Sequence, residues 1–357
     1  MIHLKFNRSE HDFCLYSLSS MDGMITHVLI YVDDILIIGN AKQVIVDVKR
    51  KLSAEFEMRD LKEVKCFLGL TIQRRRNEGS MTIDQKTYIK SVLERFGMSE
   101  CKPSAIPMMP HLKLTKEKDS RKFTSKPYKE LVGCLMYLMI TSRPDICIAV
   151  NYFAGFQCCA TEEHWVHLKR VLRYLRKTID YQLVYSRQNS CTTLEGYTDA
   201  DWGNDPNDRR SVSGFVIKLY GSTVAWATKK QSSVALSTTE AELMALCLAS
   251  CELMWIANLL GSIGRMIQEQ ITVYEDNQPC IALTMEPRKQ KRMKHVEIQY
   301  FFVRELVEKG KLQLKYVPTQ QQTADIMTKG LASPRFKMLR DQLGLFNRKG
   351  MLRVRTC

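Results

Sequence analysis

Apolar positions divide the chain into three stretches. Near the start, Val28-Leu29-Ile30 and Ile35-Leu36-Ile37-Ile38 flank Tyr31-Val32-Asp33-Asp34, a pattern that predicts a hairpin with two acids at its tip. Four prolines between residues 101 and 127 mark a loop. A helical stretch follows over 128–178. Its clearest part is 161–176, where Trp165, Leu168, Val171, Leu172 and Leu175 recur at helical spacing behind Thr161 as N-cap. From residue 194 the period changes again. Strands are predicted at 194–198, 213–220 and 223–228, then a long helix at 237–260 and a strand at 271–275. A short helix, a helix at 295–309, a strand at 311–317 and a last helix beginning at 323–331 complete the series. Strands mixed with helices in this order imply a mixed α/β layer fold.

A chain of 357 residues accommodates two or three domains, and 45% hydrophobic residues suffice for ordinary cores. Met1 to Glu10 carries charges and no apolar stretch, so no secretion signal is expected, and no membrane span is expected either. Twelve cysteines without metal-ligand spacing read as reduced thiols of an intracellular protein, cytoplasmic or nuclear. His164 and His167 lie one turn apart but lack a third ligand nearby, and are assigned ordinary roles. Lys and Arg outnumber Asp and Glu by 53 to 38, a net charge of +15, which favours a polyanionic partner.

Candidate chemistry lies in acids at the ends of the later elements. Asp199 ends the first strand of the series, Asp276 ends the fourth, Asp325 opens the last helix, and Glu240 and Glu242 occupy the first turns of the long helix. Ends of neighbouring α/β elements converge on one place. Clustered carboxylates repel, and divalent cations with a taste for oxygen relieve the repulsion. Ser237-Thr238-Thr239-Glu240 has capping-box spacing, which assigns Glu240 to the backbone N–H of Ser237. Glu242, deeper in an apolar helix, needs another partner and is the expected ligand.

These residues carry a resemblance. Tyr-Thr-Asp-Ala-Asp-Trp (197–202), Ser-Thr-Thr-Glu-Ala-Glu (237–242), Tyr-Glu-Asp-Asn-Gln (274–278), Lys-His-Val-Glu-Ile (294–298) and Ala-Asp-Ile-Met-Thr-Lys (324–329) resemble, in order, the RNase H domain of copia-like LTR-retrotransposon Pol polyproteins. Upstream, the Tyr31–Asp34 hairpin with Phe56–Leu61 and Phe67–Leu70 is similar to the end of that family's reverse transcriptase palm. Val132–Leu138 and Ser142–Ile146 resemble its thumb and connection. The resemblance implies an α/β (α+β) multidomain chain. Its parts would be a partial palm at 1–100, a mostly helical thumb/connection at 101–190, an RNase H-like mixed α/β domain at 191–345 and a basic tail at 346–357.

It further implies that Asp199, Glu242, Asp276 and Asp325 are catalytic residues holding two Mg²⁺ ions, with Mn²⁺ acceptable. They would hydrolyse the RNA strand of an RNA–DNA hybrid. Asp33 and Asp34 would be a vestigial polymerase pair, because the third acid of that site would precede Met1. No DNA polymerase activity is therefore expected of this chain alone. The loop 317–322 lacks the histidine that some RNase H enzymes carry there, and whether His295 substitutes is left open. Arg209, Arg210, Lys229, Lys230, Arg288, Lys289, Lys291, Arg292, Lys294 and His295 are candidates to hold phosphates of the hybrid. Trp202, Trp226 and Trp255 are expected in or near the core. The rival expectations are a catalytically inactive, nucleic-acid-binding remnant, and one piece of an assembly with other parts of the polyprotein.

Overall fold

The computed structural model describes residues 1–19, 22–186, 194–267, 269–285 and 297–347. The chain forms two compact units, one from residues 1–72 and 254–268, the other from 73–253 and 269–357. Residues 73–100 thus fall in the second unit.

In the first unit, β1 (Asn7–Arg8), β2 (Leu15–Ser19), β3 (Ile25–Tyr31) and β4 (Asp34–Gly39) form an antiparallel sheet in chain order. Helix α1 (Lys42–Glu55) covers it with Val48 and Leu52, which pack with Phe6 and Val28. The predicted hairpin is the β3–β4 pair, with Tyr31 opposite Asp34. Asp33 and Asp34 are exposed at its tip. Val32 turns the chain at φ 52°, a conformation that β-branched residues seldom adopt. A short hairpin of β5 (Cys66–Phe67) and β6 (Leu70–Arg75) follows.

The second unit opens with β7 (Ser80–Asp84) and α2 (Lys86–Arg95). The expected helical stretch is three helices, α3 (Tyr128–Thr141), α4 (Cys147–Ala154) and α5 (Glu162–Lys177). Thr161 caps α5 as expected, in a capping box completed by His164, so that histidine is a structural residue. A strand absent from the sequence reading, β8 (Tyr181–Ser186), pairs with β7.

Next come β9 (Leu194–Asp201), β10 (Val212–Leu219), β11 (Ser222–Lys230), α6 (Thr238–Ser262), β12 (Ile271–Glu275), α7 (Gln278–Met285), α8 (Glu297–Glu308) and β13 (Leu312–Tyr316). The helix expected to begin at 323–331 is a single turn, α9 (Asp325–Thr328), and α10 (Ser333–Gln342) follows it. Gly330 and Pro334 separate them. A final strand, β14 (Leu345–Asn347), pairs with β8.

Strands β9 to β13 build one five-stranded sheet in the order β11-β10-β9-β12-β13. The β10 strand is antiparallel to both neighbours, whereas β12 runs parallel to β9 and to β13. This is the mixed α/β layer that the strand order predicts. Each face is covered by a helix at close range. At Gly196 a Cβ would lie 3.0 Å from the Leu253 side chain of α6. At Gly214 it would lie 2.6 Å from the Met327 Cβ and 2.7 Å from the Thr328 Cγ2 of α9. By length and composition α6 is long and apolar enough to cross a membrane. Within this fold its Ala241, Leu246, Ala249 and Leu253 are buried.

Helices α2 to α5 share one core with the sheet, because Leu131, Leu135, Leu168 and Leu172 cluster with Val216, Ile326 and Met327. Trp226 of β11 donates its indole N–H to the Met139 carbonyl at 2.7 Å, and Asn151 donates to the Thr228 carbonyl. Arg143 and Asp145 form a two-pronged ion pair at 2.8–2.9 Å with almost no exposure. Tyr174 and Thr178 satisfy their remaining atoms, as a buried pair requires. Trp202 and Trp255, expected near the core, are instead 48% and 42% exposed, each with its indole N–H bonded to a carbonyl.

The tight seat of α9 gives a first prediction. Gly214→Ala forces α9 off β10 and destabilises the chain by about 1–3 kcal/mol, the usual cost of overpacking. Thermal unfolding measures it, and an unchanged midpoint would show that α9 is not held at this distance.

Candidate active site

Parallel pairing of β9 and β12 brings two acids together. Tyr197 pairs with Tyr274, their rings stacked at 4.7 Å. Two residues on, β9 delivers Asp199 while still paired with β10, two residues before the strand ends rather than at its end, and the chain leaving β12 delivers Asp276. The start of α6 places Glu242 beside them. Ligand oxygens of Asp199, Glu242 and Asp276 all lie within 4.8 Å of one another. Among the described residues this is the one group of three or more such side chains so arranged. Asp33 and Asp34 belong to no such group.

The surroundings differ from residue to residue. Asp199 is 1% exposed; Thr328 donates its hydroxyl to one oxygen and Lys329 its ammonium to the other at 3.0 Å. Burial raises its pKa to about 6, against the pull of Lys329. Asp276 is half-buried and accepts the Thr319 hydroxyl at 2.6 Å. Glu242 is 6% exposed and its Oε2 has no hydrogen-bond partner. Burial, then the charges of Glu275, Asp199 and Asp276, push its pKa well above the carboxylate range.

Such a buried, unpartnered oxygen facing two further carboxylates fits a cation bound by oxygen. Glu240 is the cap, as expected from its spacing. Its N–H bonds the Ser237 Oγ, but its carboxylate reaches the Leu236 N–H at 2.8 Å, one residue before the expected one.

Asp325 stands apart from the trio. It is buried, with one oxygen on Lys329 at 2.6 Å and the other on Arg335. Arg335 also donates to the Thr319 carbonyl, which ties this loop to Asp325.

Sequence reasoning missed five residues of the site. Glu275 is fully buried, with one oxygen on the Asn277 N–H and the other unpartnered. Its pKa is raised well above the usual range by burial and, against the pull of the Asn277 N–H, by Asp199 and Asp276. Thr319, Thr328, Lys329 and Arg335 hold the acids in place. The available signal for Lys329 was its position four residues after Asp325, where helical side chains meet.

The candidate phosphate contacts divide. Arg209, Arg210 and Lys229 are exposed, whereas the Lys230 ammonium is bound by Asp205 and Asp208. Arg288, Lys289, Lys291, Arg292, Lys294 and His295 lie outside the described residues.

The raised acids fix a pH dependence. A carboxyl whose folded pKa exceeds its unfolded one gives stability that is full below about 4 and is lost as pH rises through the folded value. For Asp199 that value is about 6, and for Glu242 and Glu275 it lies higher than the ordinary range. In chelator, Glu275→Gln therefore gains on the parent as pH rises from 5 to 8. Thermal unfolding across this range follows the widening difference in Tm. A constant difference across this range would mean that Glu275 ionises as readily folded as unfolded.

Residues 1–110 match a family model described as reverse transcriptase (RNA-dependent DNA polymerase). The chain is 35% identical over 340 residues to the retrovirus-related Pol polyprotein from transposon TNT 1-94 of Nicotiana tabacum, covering 94% of this chain and 25% of that one. It is 32% identical over 238 residues to a putative transposon Ty5-1 protein of Saccharomyces cerevisiae, covering 66% of this chain and 76% of that protein. Among solved structures it is similar to LC11-RNase H1, isolated from compost, with 18% identity and a TM-score of 0.31 over 38% of this chain and 93% of that one. The chain spans about a quarter of the length of the first curated polyproteins that it matches. Motifs, sheet and relatives agree: the chain belongs to the family of retrovirus-related Pol polyproteins of copia-type transposons.

Proposed function

We propose that the second unit is a divalent-metal-dependent ribonuclease that hydrolyses the RNA strand of an RNA–DNA hybrid, as part of a retrotransposon-derived reverse transcriptase and RNase H polypeptide. The observation that carries this reading is the trio Asp199, Glu242 and Asp276, with the Glu242 Oε2 buried and unpartnered among them, in a chain of this family. Asp325 is the fourth ligand. The four would hold two Mg²⁺ ions, or Mn²⁺ in their place. Bound there, the ions supply charge that activates water and stabilises the leaving oxygen of a phosphodiester.

The protein's own residues set up that chemistry. Thr328 and Lys329 fix the orientation of the Asp199 carboxylate. Thr319 fixes Asp276. Burial and the neighbouring acids raise the Glu242 pKa and so favour a cation beside it. Beyond the acids, the half-exposed Trp202 offers a flat face, and exposed Arg209, Arg210 and Lys229 offer charge to phosphates. The 2′-hydroxyl distinguishes the strand to be cut.

The deciding measurement is cleavage of an end-labelled hybrid in Mg²⁺. The parent chain cuts the RNA strand of the hybrid and leaves single-stranded RNA intact, while Asp199→Asn lowers the rate at least about 100-fold, as for loss of a group that stabilises transition-state charge. Binding of the hybrid without cleavage by either protein would support the inactive remnant instead. Hybrid binding by the parent also weakens steeply with salt, by roughly ten-fold or more between 50 and 200 mM, as phosphate contacts release counterions. A flat response would remove the basic side chains from the grip.

A further inference from the structure

The positive charges at the site are as definite as the negative ones. Lys329 reaches Asp199 at 3.0 Å and Asp325 at 2.6 Å, and so bridges two of the four acids. Arg335 takes the other oxygen of Asp325, and Thr328 the other oxygen of Asp199. All four oxygens on this side of the site therefore have partners, while the Glu242 Oε2 has none.

We propose that the Lys329 ammonium is a tethered cation that occupies the Asp199–Asp325 side of the site, so that the two divalent ions bind with unequal affinity and the second must displace it. The inference rests on the metal site proposed above and goes beyond it by assigning the two positions different occupants at rest.

The geometry supplies both halves of the device. Asp325 delivers Lys329 from four residues away on α9, and Gly214 and the Thr228–Met327 hydrogen bond at 2.6 Å hold that turn on the sheet. The lysine stem is flexible and one third of the side chain is exposed, so the ammonium can leave towards solvent without moving the backbone. Burial opposes its charge, but Asp199 and Asp325 raise its pKa above the ordinary lysine value, so it stays charged throughout the neutral range. A first ion would draw on Glu242 and Asp276, neither of them bonded to Lys329, and would share Asp199 with the ammonium; a second would have to exchange for the ammonium.

The test is direct titration of the full chain with Mn²⁺, counting free ion by its electron paramagnetic resonance signal, with thermal unfolding as a check on folding. The parent binds one ion tightly and a second at least about ten-fold more weakly. Lys329→Gln tightens the second site by about ten-fold and changes the first less than about three-fold. Lys329→Arg keeps the second site weak, because the charge remains, which a merely structural role would not require. An unchanged or weakened second site in folded Lys329→Gln, or one ion bound by both proteins, overturns the proposal while leaving the first metal position intact. No Mn²⁺ bound by any of the folded proteins overturns the metal site itself, and the proposal with it.

Discussion

Like charges held out of water are the constraint on which the second unit turns. At 4.8 Å and an effective dielectric constant of about 20, each fully ionised pair of carboxylates repels by roughly 3–4 kcal/mol. The fold offsets this in two ways. Around Asp199 and Asp325 it places the Thr328 hydroxyl, the Lys329 ammonium and the Arg335 guanidinium. Around Glu242 and Glu275 it leaves buried oxygens without partners and raises the pKa of both groups. The first pair of acids is thus given hydrogen-bond partners by the protein, and the second is left to whatever cation arrives. A site built only from partnered acids would have no need of a metal, and one built only from unpartnered acids would be costly to fold.

Two glycines make this arrangement possible. Gly196 and Gly214 sit on adjacent strands, and through them α6 on one side and α9 on the other approach closer than a side chain would permit. Glu242 comes from the first of these helices, and Asp325 and Lys329 from the second and the residue that follows it. The spacing of the acids is therefore set less by the acids themselves than by how nearly two helices can touch one sheet.

How far the sequence could be read follows from which forces are local. The hairpin at Tyr31–Asp34, the Thr161 cap and the five strands of the main sheet were legible, because apolar period and capping residues act within a few positions. Asp199, Glu242 and Asp276 were legible as acids near the ends of elements, and the capping spacing separated Glu240 from Glu242. Glu275 was not. It occupies a buried position in a central strand, where an apolar residue is the ordinary choice. The β8 and β14 strands were missed because each finds its partner far along the chain. The exposure of Trp202 could not be read from a residue type that is usually buried.

The parallel contact between β9 and β12 has a bearing on the order of events in folding. Some seventy residues, including β10, β11 and α6, lie between the two tyrosines that stack across it. Local hairpins and helices form before such a distant pairing can close. The acids therefore repel one another only after most of the sheet is complete, and a cation has little to bind before that moment. It follows that a bound ion acts mainly on the rate of unfolding, lengthening the life of the finished unit while leaving its rate of formation nearly unchanged.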